Sequence, residues 1–203
     1  MDFYKLYFDT LIKPASVADI IRSLKVSKRN IVEASAFVAS LGALISVAME
    51  KFIFGSSEKV NEIFSNNSVT FLFNPLATFF FELLFIFVLI LTIYSFGNIS
   101  KNKIDIEEIG KLVVWICFVA IGFKLIQFLV AASVSNFYLI FRVLEMIWFV
   151  WALSSVVSVI YGFRSVIVTA VTGLIVVSFA MIVFLIVILT VVQSFISSGS
   201  MNV

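Results

Sequence analysis

The chain alternates long apolar runs with short polar connectors. Five runs are long enough to cross a hydrocarbon core of about 30 Å, which takes about 20 helical residues. They lie near 31–54, 71–97, 112–134, 138–161 and 166–193. Lipid offers the backbone no hydrogen-bond partners, so each run is predicted to be a helix. Pro75 is placed one turn into the second run, where a lost backbone donor matters least. The predicted fold is all-α: an integral membrane bundle of five transmembrane helices with an N-terminal amphipathic helical segment. Residues 1–30 form that segment, 31–197 the membrane domain and 198–203 a short outer tail.

Residues 1–30 are too polar to span. In MDFYKLYFDTLIK, Asp2, Lys5, Asp9 and Lys13 recur every three or four residues and form one stripe, with Phe3, Tyr4, Leu6, Tyr7, Phe8, Leu11 and Ile12 over the rest. Pro14 breaks this helix. PASVADIIRSLK then predicts a second, with Val17, Ile20, Ile21 and Leu24 on one face, and Ser16 and Asp19 stand at capping-box spacing. Two placements are open: flat in the membrane interface, or packed on the cytoplasmic ends of the bundle.

Composition agrees with a lipid solvent. Apolar residues make up 62% of the chain and charged ones 13%, against roughly half and a quarter in soluble domains. The formal charge of +2 and the lack of a long basic run argue against a nucleic-acid partner. Cys117 has no partner for a disulfide, and the absence of histidine removes the commonest metal ligand and general base. The sequence carries no HExxH, CxxC or phosphate-binding glycine fingerprint. No enzymatic activity, cofactor or metal is expected, and no cleaved signal peptide is read at the N-terminus. Glu107 and Glu108 are read as a solvated helix start.

The basic residues set an expected orientation. Lys5, Lys13, Arg22, Lys25, Lys28 and Arg29 precede the first run, Lys101, Lys103 and Lys111 follow the second, and Arg164 follows the fourth. The other side carries only Lys51 and Lys59. The positive-inside rule then puts the N-terminus in the cytoplasm and the C-terminus outside. Tyr94, Trp115 and Tyr161 are expected in the cytoplasmic aromatic belt, and Tyr138 in the outer one.

Charges inside the runs are the candidate site. Lys124 lies about 15 Å below the outer end of the third run and Glu82 about 16 Å down the second. Glu145 in the fourth is about 10 Å deep, with Arg142 one turn nearer the surface. An unpaired charge at the bilayer centre costs at least about 2.5–3.5 kcal/mol. The expectation is one neutral cluster of Glu82, Lys124, Arg142 and Glu145 between the second, third and fourth runs. Lys124 has either carboxylate as partner, and Gln127 and Asn136 complete the hydrogen bonds. The cluster either fixes helix register or marks a path for a proton, ion or solute; snorkelling of Arg142 to the headgroups is a third reading. Ser35, Ala39 and Ala43, then Ser154, Ser158 and Gly162, then Thr169 and Gly173 stand at small-residue spacings that favour close helix packing, within the chain or in a homo-oligomer.

Three stretches resemble the Yip1 family of integral membrane proteins, in particular its bacterial members. These are the entry LIKPASVADIIRSLK; GFKLIQF, at the place of a Gly-Tyr motif in eukaryotic relatives; and the last two runs with their tight basic turn, WFVWALSSVVSVIYGFRSVIVTAVTGLIVVSFAMIVF. Phe123 replaces the tyrosine, and the Asp-Leu-x-Gly-Pro motif of eukaryotic members is absent. The resemblance therefore implies the five-span fold and a bacterial inner-membrane location, without the GTPase partners of the eukaryotic proteins. The expected function is that of an interaction or organising protein that binds other membrane proteins or lipid. The alternative is a small transporter or channel built on Glu82, Lys124 and Glu145.

Overall fold

The computed structural model describes residues 2–54, 74–100, 104–133 and 137–199. Among these, seven helices and no strand occur: α1 (Phe3–Ile12), α2 (Pro14–Ser23), α3 (Lys28–Phe54), α4 (Pro75–Ser100), α5 (Ile106–Ser133), α6 (Tyr138–Tyr161) and α7 (Val166–Gly199). The protein is an all-α membrane bundle. Helices α3 to α7 are each long and apolar enough to cross a membrane.

The ends of these helices follow local chemistry. The described part of α4 starts at Pro75, not a turn before it, and the Asn74 side chain accepts from Leu76 N at 2.9 Å. Proline suits a first helical position, where its missing N–H has no partner to lose. Helix α5 begins at Ile106, six residues ahead of the predicted span, because the polar turn IEEIGK is already helical. Gly162 ends α6 in the left-handed region, φ 68°. There the Phe163 N–H returns to the Ser158 carbonyl at 2.9 Å, a turn that glycine makes without a Cβ penalty. Gly162 is thus a helix stop and not part of a packing stripe. At the other end, α7 continues to Gly199, into the expected outer tail.

The core lies between α3, α4, α5 and α6. Ser35, Ala39 and Ala43 are all buried on α3, and small residues there let α4 and α5 come close. Helix α7 is different: none of Val166–Val183 is buried, and it leans on α6 and α4 from outside. Helix α2 packs on α5 and α6. Its buried face is Pro14, Val17, Ala18 and Ile21, whereas Ile20 and Leu24, expected on that face, are exposed. Since α2 starts at Pro14, Ser16 sits inside the first turn and donates to the Lys13 carbonyl at 2.8 Å. The expected capping box is therefore not formed.

Candidate functional site

Lys124 lies in α5, one residue past Phe123 in GFKLIQF. Its ammonium donates to Glu82 Oε1 of α4 and to Ser46 Oγ of α3, the latter at 3.4 Å. Three helices thus meet at one cation. Gly42, one turn before Ser46, covers the pair: a Cβ there would lie 3.4 Å from both Lys124 Nζ and the Glu82 carboxyl carbon. Both side chains are mostly covered, with 12% of Lys124 and 27% of Glu82 left exposed.

A second polar set sits on the adjoining face of α5. Gln127 is three residues beyond Lys124, about 60° away around the helix, and so faces α6. Its Nε2 donates to Glu145 Oε2 at 2.6 Å and to the Phe141 carbonyl at 3.2 Å. Two acceptors on Nε2 fix the amide orientation. They leave Gln127 Oε1 buried with no hydrogen-bond partner among the described residues. Arg142 reaches Glu145 Oε2 at 3.4 Å while half of its side chain stays exposed.

The four charges therefore form two neutral sets, Glu82–Lys124 and Arg142–Glu145, in place of the single cluster expected. Lys124 makes no ion pair with Glu145. Asn136 lies outside the described residues. Both sets place an acid and a base together, which removes most of the cost of a lone charge in lipid. Desolvation still offsets much of the attraction, so what the pairs contribute most clearly is rotation and register of the helices.

The N-terminal helices make polar contacts with α5 and α6. Tyr7 Oη donates to the Val119 carbonyl at 3.2 Å. A Cβ on Gly122 would overlap that hydroxyl, so the glycine of GFKLIQF makes room for α1. Burial pushes the Tyr7 phenol up from its usual pKa. Trp115 Nε1 donates to Thr10 Oγ1 at 2.9 Å, and Trp148 Nε1 to the Leu11 carbonyl at 3.1 Å. At the basic end, Arg22 pairs with Glu108 at 2.9 Å and Lys28 with Glu107 at 3.2 Å. Lys111 caps the end of α2 by donating to the Arg22 and Leu24 carbonyls at 2.6 and 2.8 Å. The Glu107–Glu108 pair is thus a tether for the N-terminal segment, not merely a solvated helix start.

Of the aromatics expected in the belt, Tyr94 is exposed. Tyr161 is not in the belt: it is buried, and its hydroxyl donates to the Ile93 carbonyl at 2.7 Å. Trp115 is partly covered by α1. The Tyr138 side chain lies outside the described ones. Ser158 Oγ donates to Thr169 Oγ1 at 3.0 Å and joins α6 to α7 near their turn. Ser154 is buried close by, whereas nothing would approach a Cβ on Gly173. Among the described residues no group of three or more His, Cys, Asp or Glu side chains is placed to hold a metal ion.

No family model matches this chain, and neither a curated protein nor a solved structure is significantly similar to it.

Proposed function

We propose that this chain is a non-enzymatic interaction or organising protein of the Yip1 type, set in a bacterial inner membrane with its N-terminus in the cytoplasm. One observation supports the reading most: the intramembrane ammonium of Lys124 is held by Glu82 and Ser46, so its bonds serve to lock α3, α4 and α5 together. Lys124 and Glu82 line neither the cleft between α4, α6 and α7 nor that between α2, α3 and α5. The N-terminal segment adds a platform. It is fixed to α5 and α6 through its buried side, and it presents Tyr4, Phe8 and Ile12 outward beside Asp2, Lys5, Asp9 and Lys13. A surface that is both aromatic and charged suits the boundary between lipid and water.

The test is in two arms. Photo-crosslinking from Tyr4 or Ile20 in living cells, followed by capture in mild detergent, should give discrete adducts with membrane proteins or lipid. The purified protein in liposomes should leave an imposed pH or ion gradient intact. A gradient dissipated by the wild type and preserved by Lys124→Met would overturn this reading and establish transport at the charged site.

A further inference from the structure

A cleft of about 880 Å³ runs between α7 and the α4–α6 face. Leu89, Phe149, Val157, Gly173 and Val177 line it, and Arg164 stands at its end. We propose that it holds an acyl chain of an anionic phospholipid, with the phosphate on Arg164. This rests on the reading above, that the protein binds membrane components, and it names lipid as one of them.

Size argues for a chain-like occupant. The volume lies within the roughly 300–1,000 Å³ of small-molecule sites. Along α6 the lining runs from Met146 to Val157, about 16 Å at the helical rise. That matches one leaflet, about half of a 30 Å core.

Charge argues for the headgroup. Arg164 belongs to the tight α6–α7 turn, is exposed, and has no hydrogen bond or ion pair among the described residues. That turn shares an end of the bundle with Arg22, Lys28 and Lys111, because α5 and α6 run antiparallel. A guanidinium meets phosphate oxygens through two parallel N–H bonds. An anionic lipid satisfies it, while a zwitterionic one brings a competing cation to the same place. The Ser158–Thr169 bond holds α7 to α6 beside that mouth. Farther along, the side-chain-free surface of Gly173 leaves the cleft open.

The test measures thermal unfolding of the purified full chain in detergent micelles doped with phosphatidylglycerol or phosphatidylcholine. Phosphatidylglycerol should raise the midpoint at least twice as much as phosphatidylcholine. Arg164→Ala should remove that difference, and Gly173→Trp should remove the rise with both lipids. Thr172→Trp, at an exposed lining position, replaces Gly173→Trp if that variant misfolds. An equal rise with the two lipids, or a rise that survives the blocking variants, would mean that only the surrounding lipid acts, and would overturn the site. The outcome separates from that of the general reading. A gradient-dissipating protein with this lipid preference would lose its organising role and keep the cleft, whereas crosslinked partners without the preference would do the reverse.

Discussion

The third and fifth spans are similarly apolar, yet they occupy opposite positions in the bundle. Of the most apolar stretch of α5, 44% is buried against the rest of the chain; for α7 the figure is 0%. Helix α5 packs on α1, α2, α3, α4 and α6, while α7 packs on α6 and α4. In water such a contrast would show as hydropathy. In a bilayer it cannot, because lipid tails are as apolar as a protein core and supply no drive to hide a leucine. What distinguishes the two helices is what they must bond to. Helix α5 carries Lys124 and Gln127 at depth, and both need partners. Val166–Val183 carries no charged residue; the hydroxyls of Thr169 and Thr172 donate to backbone one turn earlier, and the hydrogen bond Thr169 accepts from Ser158 lies at the α6–α7 turn. Depth is set by apolar content, and burial by the few polar and small positions.

The strongest way to break the comparison is to make α5 resemble α7 by removing its charge. Lys124→Met leaves the Glu82 carboxylate unpaired, and Glu82→Gln leaves the ammonium so. Breaking one side of a buried pair costs about 3–5 kcal/mol, whereas replacing both can be nearly neutral. Each single variant should therefore unfold at a clearly lower temperature in detergent, and Lys124→Met with Glu82→Gln should recover most of the loss. Additive losses would show that the two groups act separately. Next in size is a matched pair of truncations. Ile116→Ala empties a fully buried site on α5 and should cost about 2 kcal/mol, from the cavity term alone, since lipid removes the transfer term. Ile175→Ala, at a position 64% exposed on α7, should stay within about 0.5 kcal/mol of the wild type. Equal costs at the two sites would remove the distinction between hub and rim.

The same contrast explains what the sequence reveals. Five spans are legible because lipid imposes length and apolarity on each, and their all-α character follows from backbone bonding. Counting residues from the span ends yields depth, but not which way a side chain faces. Depth alone therefore leaves Lys124 between Glu82 and Glu145, and it contains no sign of Ser46 or Gly42, which belong to a helix outside the expected cluster. Tyr161 illustrates the same gap: an aromatic near a span end fits a belt, and only the direction of its hydroxyl toward Ile93 puts it in the core. The tethers at Glu107 and Glu108 are hidden for another reason. Their partners Lys28 and Arg22 lie about 80 residues away in sequence, and a charged pair at a helix start looks solvated until the N-terminal segment is placed over it.

A smaller effect tests how α1 is held on the hub. Gly122→Ala should press on the Tyr7 hydroxyl and lift α1, read as faster thiol labelling of a cysteine placed at buried Leu6. Tyr7→Phe alone loses one partly buried hydrogen bond, worth about 0.5–1.5 kcal/mol. Combined with Gly122→Ala it should recover part of the docking, because the overlapping hydroxyl is gone. Alkali offers an independent check. The folded state holds the Tyr7 pKa above its unfolded value of about 10. The protonated phenol therefore contributes its full share below about pH 10, and that share is lost as pH rises through the higher folded value. Labelling of Leu6→Cys should accelerate over that alkaline range in the wild type, and less so in Tyr7→Phe. An identical profile in both would remove Tyr7 from the docking.

The smallest expected effect is at the basic end, where α2 meets the first turn of α5. Arg22 and Glu108 are bonded at 2.9 Å, but each side chain is about one-third exposed. Water and salt screen such a pair, and its net worth is typically below about 1 kcal/mol. Glu108→Gln should therefore barely move the global midpoint. Its consequence should be local. Arg22 would keep only Asp19, at 3.7 Å, as an ion-pair partner, and α2 would rely on Lys111 and its own buried face. The readout is proteolysis at Lys25 or Lys28, in the stretch after α2, which should quicken in Glu108→Gln at low salt and converge with the wild type at high salt. Lys111→Met should give the larger acceleration, and one that salt does not erase, because it leaves the Arg22 and Leu24 carbonyls without their shared donor. If the two variants behave alike, α2 is held by charge alone and the N-terminal segment is a peripheral attachment, closer in kind to α7 than to α5.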